Sequence, residues 1–136
     1  MFGSKTLYVV IIGCGKFGSY LANNLSRAGH SVVVVDTDSQ SFQELTADFS
    51  GFVFEGDATE FAVLQEAKVD RADVFIAATE NDNVNLMVAQ IAKNFFGVAK
   101  VIARLWDIRR EEICRSLEIE TVFPTILVGN LVLESV

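Results

Sequence analysis

Gly13, Gly15 and Gly18 stand in the run GCGKFG, and Asp36 closes a second apolar run about twenty residues further on. These residue types at this spacing suit an anion and a sugar. Gly13 permits a tight turn out of a strand. Gly15, with no Cβ, lets a diphosphate approach the backbone closely. Gly18 lets the following helix pack against the sheet. The first-turn N–H groups of that helix lack intrahelical partners, and its dipole adds partial positive charge, so a phosphate fits there. The Asp36 carboxylate would accept hydrogen bonds from ribose hydroxyls and repel a 2′-phosphate. NAD or a plain adenine nucleotide is therefore expected over NADP.

Three glycines alone are a weak sign. The order strand, glycine turn, helix, strand and terminal acid is a strong one. LYVVII precedes the turn, KFGSYLANNLSRAGH follows it as a helix, and SVVVV leads to Asp36. The plainer alternative is a strand–helix–strand unit whose glycines serve packing only.

The whole chain alternates in the same way. Short apolar runs at Leu7–Ile12, Val32–Val35, Phe52–Phe54, Val74–Ala77, Val101–Ala103 and Thr121–Phe123 read as strands buried on both faces of a parallel sheet. Amphipathic segments near Ser39–Phe49, Phe61–Lys68, Asn83–Phe96 and Ile108–Leu117 read as helices between them. The expected fold is α/β: a three-layer, doubly wound, six-stranded Rossmann sheet in the order 3-2-1-4-5-6. Residues 1–136 form one domain, with 1–6 a leading tail and 124–136 a final helix.

In such a sheet, ligands sit outside the carboxyl ends of the strands. Asp36 and Asp38 follow strand two. Gly56, Asp57, Ala58 and Thr59 follow strand three. Thr79, Asn81, Asp82 and Asn85 follow strand four, and Arg104 ends strand five. His30 precedes strand two and belongs to the opposite edge, where it closes the turn between helix and strand. It is the only histidine. No serine or cysteine stands beside it as a nucleophile, and no carboxylate pair announces a general acid and base. A non-enzymatic role is expected.

Composition narrows the partners. The 136 residues carry a net charge of −7, which disfavours a nucleic acid or an anionic membrane surface. No apolar run approaches the roughly twenty residues that span a bilayer. MFGSKT leads directly into a strand without a signal peptide, so a cytoplasmic location is expected. Cys14 and Cys114 read as reduced thiols, and no metal site is expected. Cys14 fills a packing position in the glycine turn, or is a redox-sensitive thiol beside a phosphate. Asp82 reads as the N-cap of the following helix.

Taken in order, VVIIGCGKFG, VVVVDTDSQ, EGDAT at Glu55–Thr59, AATENDNVN at Ala77–Asn85 and VIARLWD at Val101–Asp107 resemble the RCK or Trk/Ktr N-terminal domain family, across nearly the whole chain. That family regulates potassium channels and uptake systems. The resemblance implies a cofactor site of NAD(H) or another adenine nucleotide (ATP, ADP or AMP). It would be built from Gly13, Cys14, Gly15, Lys16, Phe17 and Gly18; from Asp36, Thr37 and Asp38; from Gly56, Asp57, Ala58 and Thr59; and from Ala78, Thr79 and Arg104. Asp36 would bind the adenosine ribose with Asp38 nearby. Asp57 and Ala58 would flank the adenine, and Thr79 would close over the ligand. Lys16 and Arg104 would meet terminal phosphates or sense charge across a dimer, although Lys16 reads equally as a solvated lysine at a helix start. Family members commonly continue into a second regulatory domain, and channel-linked members carry a pore. The chain ends at Val136, so a piece of a longer protein and a stand-alone subunit are both expected forms.

The tail PTILVGNLVLESV starts with Pro124, a good first helical residue. Its apolar residues spread round most of the helix and would leave a large apolar surface in water. A crossover helix reaching a second copy is expected, in a homodimer or larger ring. The alternative packs it on its own sheet. The leading functional reading is a nucleotide sensor on a membrane-embedded potassium transporter or channel subunit. The rivals are the cofactor domain of an NAD-dependent oxidoreductase lacking its substrate domain, and an assembly platform that holds nucleotide without switching.

Overall fold

The computed structural model describes residues 5–136. Part of the expected leading tail, residues 1–4, lies outside them. The strands are β1 (Tyr8–Ile12), β2 (Ser31–Asp36), β3 (Phe52–Glu55), β4 (Val74–Ala77), β5 (Lys100–Arg104) and β6 (Glu120–Val122). The helices are α1 (Lys16–Arg27), α2 (Phe61–Glu66), α3 (Asp82–Asn94), α4 (Glu111–Cys114) and α5 (Pro124–Ser135). All strand pairs are parallel, in the order β3-β2-β1-β4-β5-β6. This is the expected doubly wound sheet.

Alternate residues of a strand point to opposite faces, and both faces of the central strands are covered. Val10, Ile12, Val33, Val35 and Phe75 pack with Leu64, Val88 and Ala92 on one side. Val9, Ile11, Val32, Val34 and Ile76 pack with Ala22 on the other. Double burial explains why β1 and β2 are unbroken Val/Ile runs. A third cluster joins Leu105, Cys114 and Phe123 under the β5–β6 edge.

Three expected helices and one expected strand differ. The segment near Ser39–Phe49 is a 3-10 helix over Ser39–Glu44 only. The Asp38 side chain accepts from the Gln40 N–H and starts it, and Leu45 is already extended. The Ile108–Leu117 segment is a 3-10 turn at Ile108–Arg110 followed by the single-turn α4. The helix near Phe61–Lys68 stops at Glu66, because Lys68 adopts a left-handed φ of 58°. Short α2 leaves edge strand β3 partly bare, with Phe52 74% exposed. β3 is therefore not buried on both faces.

His30 lies at the amino end of β2, where its Nδ1 accepts from the Leu7 N–H at 3.1 Å. It closes that turn as expected. Asp82 does not cap α3: the Asn81 side chain does, accepting from the Val84 N–H. Asp82 is the first helical residue, and its carboxylate accepts from the N–H groups of Trp106 and Asp107 at 2.8 and 2.9 Å.

The β1–α1 turn is the tightest point. Gly13 has φ +104°, and a Cβ there would meet the Ala78 carbonyl oxygen at 2.7 Å. A Cβ on Gly18 would overlap the Gly13 carbonyl oxygen, whereas one on Gly15 would meet nothing within 4 Å. Gly18→Ala should therefore destabilise the fold by about 2–4 kcal/mol, a fall in Tm of roughly 5–15 °C. Gly15→Ala should stay within about 1 kcal/mol of the parent. Paired thermal melts check both; equal losses would contradict the distinct roles assigned to the two glycines.

Candidate functional site

Parallel strands with right-handed crossovers deliver their carboxyl ends to one edge of the sheet. The turn after β1 and the loops after β2, β3, β4 and β5 meet there around a cleft of about 500 Å³, within the range of small-molecule sites. Gly13, Gly15, Lys16, Phe17, Asp36, Thr37, Gly56, Asp57, Ala58, Thr59, Ala78, Thr79 and Arg104 line it.

Cys14, Gly18 and Asp38 are not among the lining residues, each for a physical reason. Cys14 points into the core beneath the turn and is fully buried. Only its backbone faces Asp36. Gly18 packs on the Gly13 carbonyl and sets the helix position from behind. Asp38 spends its carboxylate on the Gln40 N–H. Ile12, Val35, Ser41, Glu80, Asn81 and Val84 also line the cleft and were not among the candidates for the cofactor. Ile12 and Val35 are the last apolar residues of their strands, so strand length was the signal that could have placed them.

α1 begins at Lys16 with Gly15 as its N-cap, no capping side chain and no acid in the first turn. The contrast is α3, capped by Asn81 and carrying Asp82. The N–H groups at the start of α1 thus open toward the cleft without a protein anion to satisfy them. Lys16 is almost fully exposed and 3.9 Å from Glu44, as a solvated helix-start lysine would be.

Asp36 faces this helix start. Its Oδ2 accepts from the Cys14 N–H and its Oδ1 from the Asp38 N–H, both at 2.8 Å. Each oxygen keeps a further lone pair, so the carboxylate is fixed and still able to accept. In the next loop, Asp57 Oδ1 accepts from the Thr59 N–H and hydroxyl at 2.9 and 2.7 Å. The Thr59 hydroxyl, above all, holds the Asp57 carboxyl below the usual range. Asp57 is ionised and acts as an acceptor.

The β4 and β5 ends are joined by a buried network. Asn85 is fully buried. Its Nδ2 donates to the Thr79 and Arg104 carbonyls at 2.9 and 2.8 Å. Its Oδ1 accepts from the Thr79 N–H and hydroxyl at 3.0 and 2.6 Å. Sequence reading placed Asn85 at this edge without a role; its burial is what gives it one. Arg104 is also buried. Burial lowers its pKa and Glu80 and Asp82 oppose that shift, so the guanidinium remains a cation at neutral pH. His30 lies at the opposite edge, beside a second groove of about 800 Å³ shared with Phe52, Lys68 and Arg71.

Together these features give one edge of the sheet a bare helix N-terminus, a fixed carboxylate and a second ionised acceptor. Burial, with Asp36 and Glu44 adding to it, pushes the Cys14 thiol up to about 11. A thiol that is harder to ionise in the fold stabilises below its ordinary value near 9, and loses that stabilisation as pH rises toward about 11. Two outcomes follow. Native protein at neutral pH should react with a thiol reagent far more slowly at Cys14 than unfolded protein does. The alkaline fall in stability across that window should flatten in Cys14→Ala. Rapid native labelling of Cys14 would favour the redox reading instead.

Comparison with known proteins places the chain. The TrkA-N domain matches residues 9–125. The Trk system potassium uptake protein TrkA of Streptomyces coelicolor is 40% identical over 116 residues, covering 85% of this chain and 52% of that protein. The chain spans about half the length, or less, of the curated relatives it matches. The Kef C-terminal domain of Shewanella denitrificans, solved with AMP, superposes with TM-score 0.79 at 25% identity, over 94% of this chain and 79% of that one. The GsuK channel bound to NAD superposes with TM-score 0.74 at 22% identity, over 95% of this chain and 23% of that one. A sheet of this order, a glycine turn of this geometry and a match over most of the chain lead to one assignment: the protein belongs to the TrkA-N domain family.

Proposed function

We propose that the cleft binds NAD(H) or another adenine nucleotide and that the chain acts as a regulatory unit of a potassium transport system. The observation that carries this reading is the uncapped start of α1 set against the fixed Asp36 carboxylate. A phosphate would take the N–H groups of the turn, and the ribose hydroxyls would reach Asp36. Asp57 would accept from the adenine amine, with Ala58 against the ring. Fit is supported by the Gly15 position, where a missing side chain leaves open space. Structures with AMP and with NAD, and a relative named for potassium uptake, support the same reading.

Regulation requires a second state. α5 contributes no buried residue, and Leu127, Val128, Leu131, Val132 and Leu133 are all exposed. We take this surface as the contact with a second copy, the crossover helix of a pair or ring. A nucleotide that binds one arrangement of the pair more tightly than the other shifts the balance between them. A membrane-embedded potassium transporter or channel subunit would feel that shift. Among the described residues no helix is long and apolar enough to cross a membrane. In this reading the chain acts from the cytoplasmic side through its partner. Oxidoreductase chemistry is disfavoured because the one histidine stands at the far edge.

Thermal melts test the reading. NAD, NADH, AMP, ADP or ATP at a hundredfold excess over Kd should stabilise by about 2.7 kcal/mol, a rise of roughly 5–10 °C. NADP should bind more weakly than NAD, since its 2′-phosphate meets Asp36. Asp36→Ala should weaken ribose-bearing ligands roughly ten- to a hundredfold by titration calorimetry. NADP binding as tightly as NAD, or an unchanged affinity in Asp36→Ala, would move the site elsewhere. Turnover of NADH with a carbonyl substrate would restore the oxidoreductase reading.

A further inference from the structure

Arg104 is only 5% exposed and lies at the β4–β5 end of the cleft. Its guanidinium carbon is 5.0 Å from the centre of the Phe17 ring and 4.8 Å from that of Trp106. Nη2 donates to the carbonyls of Ala78 and Thr79 at 3.2 and 2.8 Å, and to Glu80 Oε2 at 3.4 Å. Its buried Nε has no partner. Among the described residues, Glu80 alone forms an ion pair with it. Glu80 is also held by Trp106, whose indole N–H donates to the same oxygen at 3.1 Å. The Glu80 side chain is nevertheless 81% exposed. It stands in the cleft wall beside Arg104, the one buried cation among the described residues.

We propose that Glu80 sets the charge the cleft accepts, favouring nucleoside monophosphates and dinucleotides over nucleoside di- and triphosphates. The inference rests on nucleotide binding at this cleft. A phosphate on the first ribose would sit at the glycine turn. Further phosphates would extend along the cleft wall that Arg104 and Glu80 share, and there they would meet a cation already paired with Glu80. An added anion must share Arg104 with a carboxylate that repels it. AMP ends before this point. A dinucleotide passes it with one charge on each bridging phosphate, whereas ADP and ATP carry extra charge on a terminal phosphate. One exposed charge beside the added phosphate changes its affinity by roughly tenfold.

The test is calorimetric titration of the parent, Glu80→Gln and Trp106→Phe with AMP, NAD, ADP and ATP, free of divalent cations. The parent should bind AMP and NAD more tightly than ATP. Glu80→Gln keeps the shape and removes the charge. It should raise ATP affinity relative to AMP by roughly tenfold, with ADP between. Trp106→Phe keeps a ring beside Arg104 but removes one of the two hydrogen bonds that hold Glu80, so it should move the same ratio in the same direction and by less. The gain should shrink between about 50 mM and about 500 mM salt, as a charge effect must. An ATP-to-AMP ratio unmoved by either variant, with both nucleotides still bound, overturns the role of Glu80 and leaves the cleft assignment standing. Absence of any adenine nucleotide binding in the parent overturns the cleft assignment and this inference together.

Discussion

The approach of Gly18 to the Gly13 carbonyl is the contact on which the site depends. It brings the first turn of α1 onto the end of β1 with no side chain between them. The Gly13 N–H donates to the Val35 carbonyl at 2.7 Å, tying the same turn to β2. The Asp36 carboxylate then holds the Cys14 N–H. One short backbone segment thereby fixes a helix axis, a strand end and a carboxylate relative to each other. No flexible loop stands between the helix dipole and the cleft it faces.

Much of this was legible because each part has a local cause. Strands covered on both faces must be apolar at every position, and YVVII and SVVVVD are nearly so. The glycines announce their own backbone needs. Legibility failed where two sites look alike in composition. FVFE in β3 reads like a covered strand, yet its place at the sheet edge beside short α2 leaves it open. Phe42, Leu45 and Phe49 have helical spacing and do pack against the core, but as side chains of a 3-10 helix, an extended residue and the end of a turn. Asp36 and Asp38 are the same residue two positions apart; one faces the turn and the other caps a helix. Asn81 and Asp82 exchange roles in the same way. Burial was the least legible property, and Asn85 and Arg104 owe their part in the site to it.

The electrostatics repeat this division. In a chain of net charge −7, the positive features at the cleft are the backbone N–H groups at the start of α1 and a covered guanidinium paired with Glu80, not a basic surface. Local N–H groups act only at short range, so the overall negative charge does not cancel them. The apolar surface of α5 has no counterpart in the core: a helix of 12 residues with no buried member gains little from its own domain.

Asp82 gives the architecture a mechanical consequence. Its carboxylate grips the N–H groups of Trp106 and Asp107, while its own backbone opens α3. The loop after β5 and the helix after β4 are thus one body. α3 runs 13 residues, about 20 Å, and ends beside the exposed ring of Phe95. Phe95 packs on Phe61 and Phe96, with ring centres 4.7 and 5.3 Å away. The Trp106 loop at the cleft and the Phe61–Phe95–Phe96 aromatic surface are thus the two ends of a single helix.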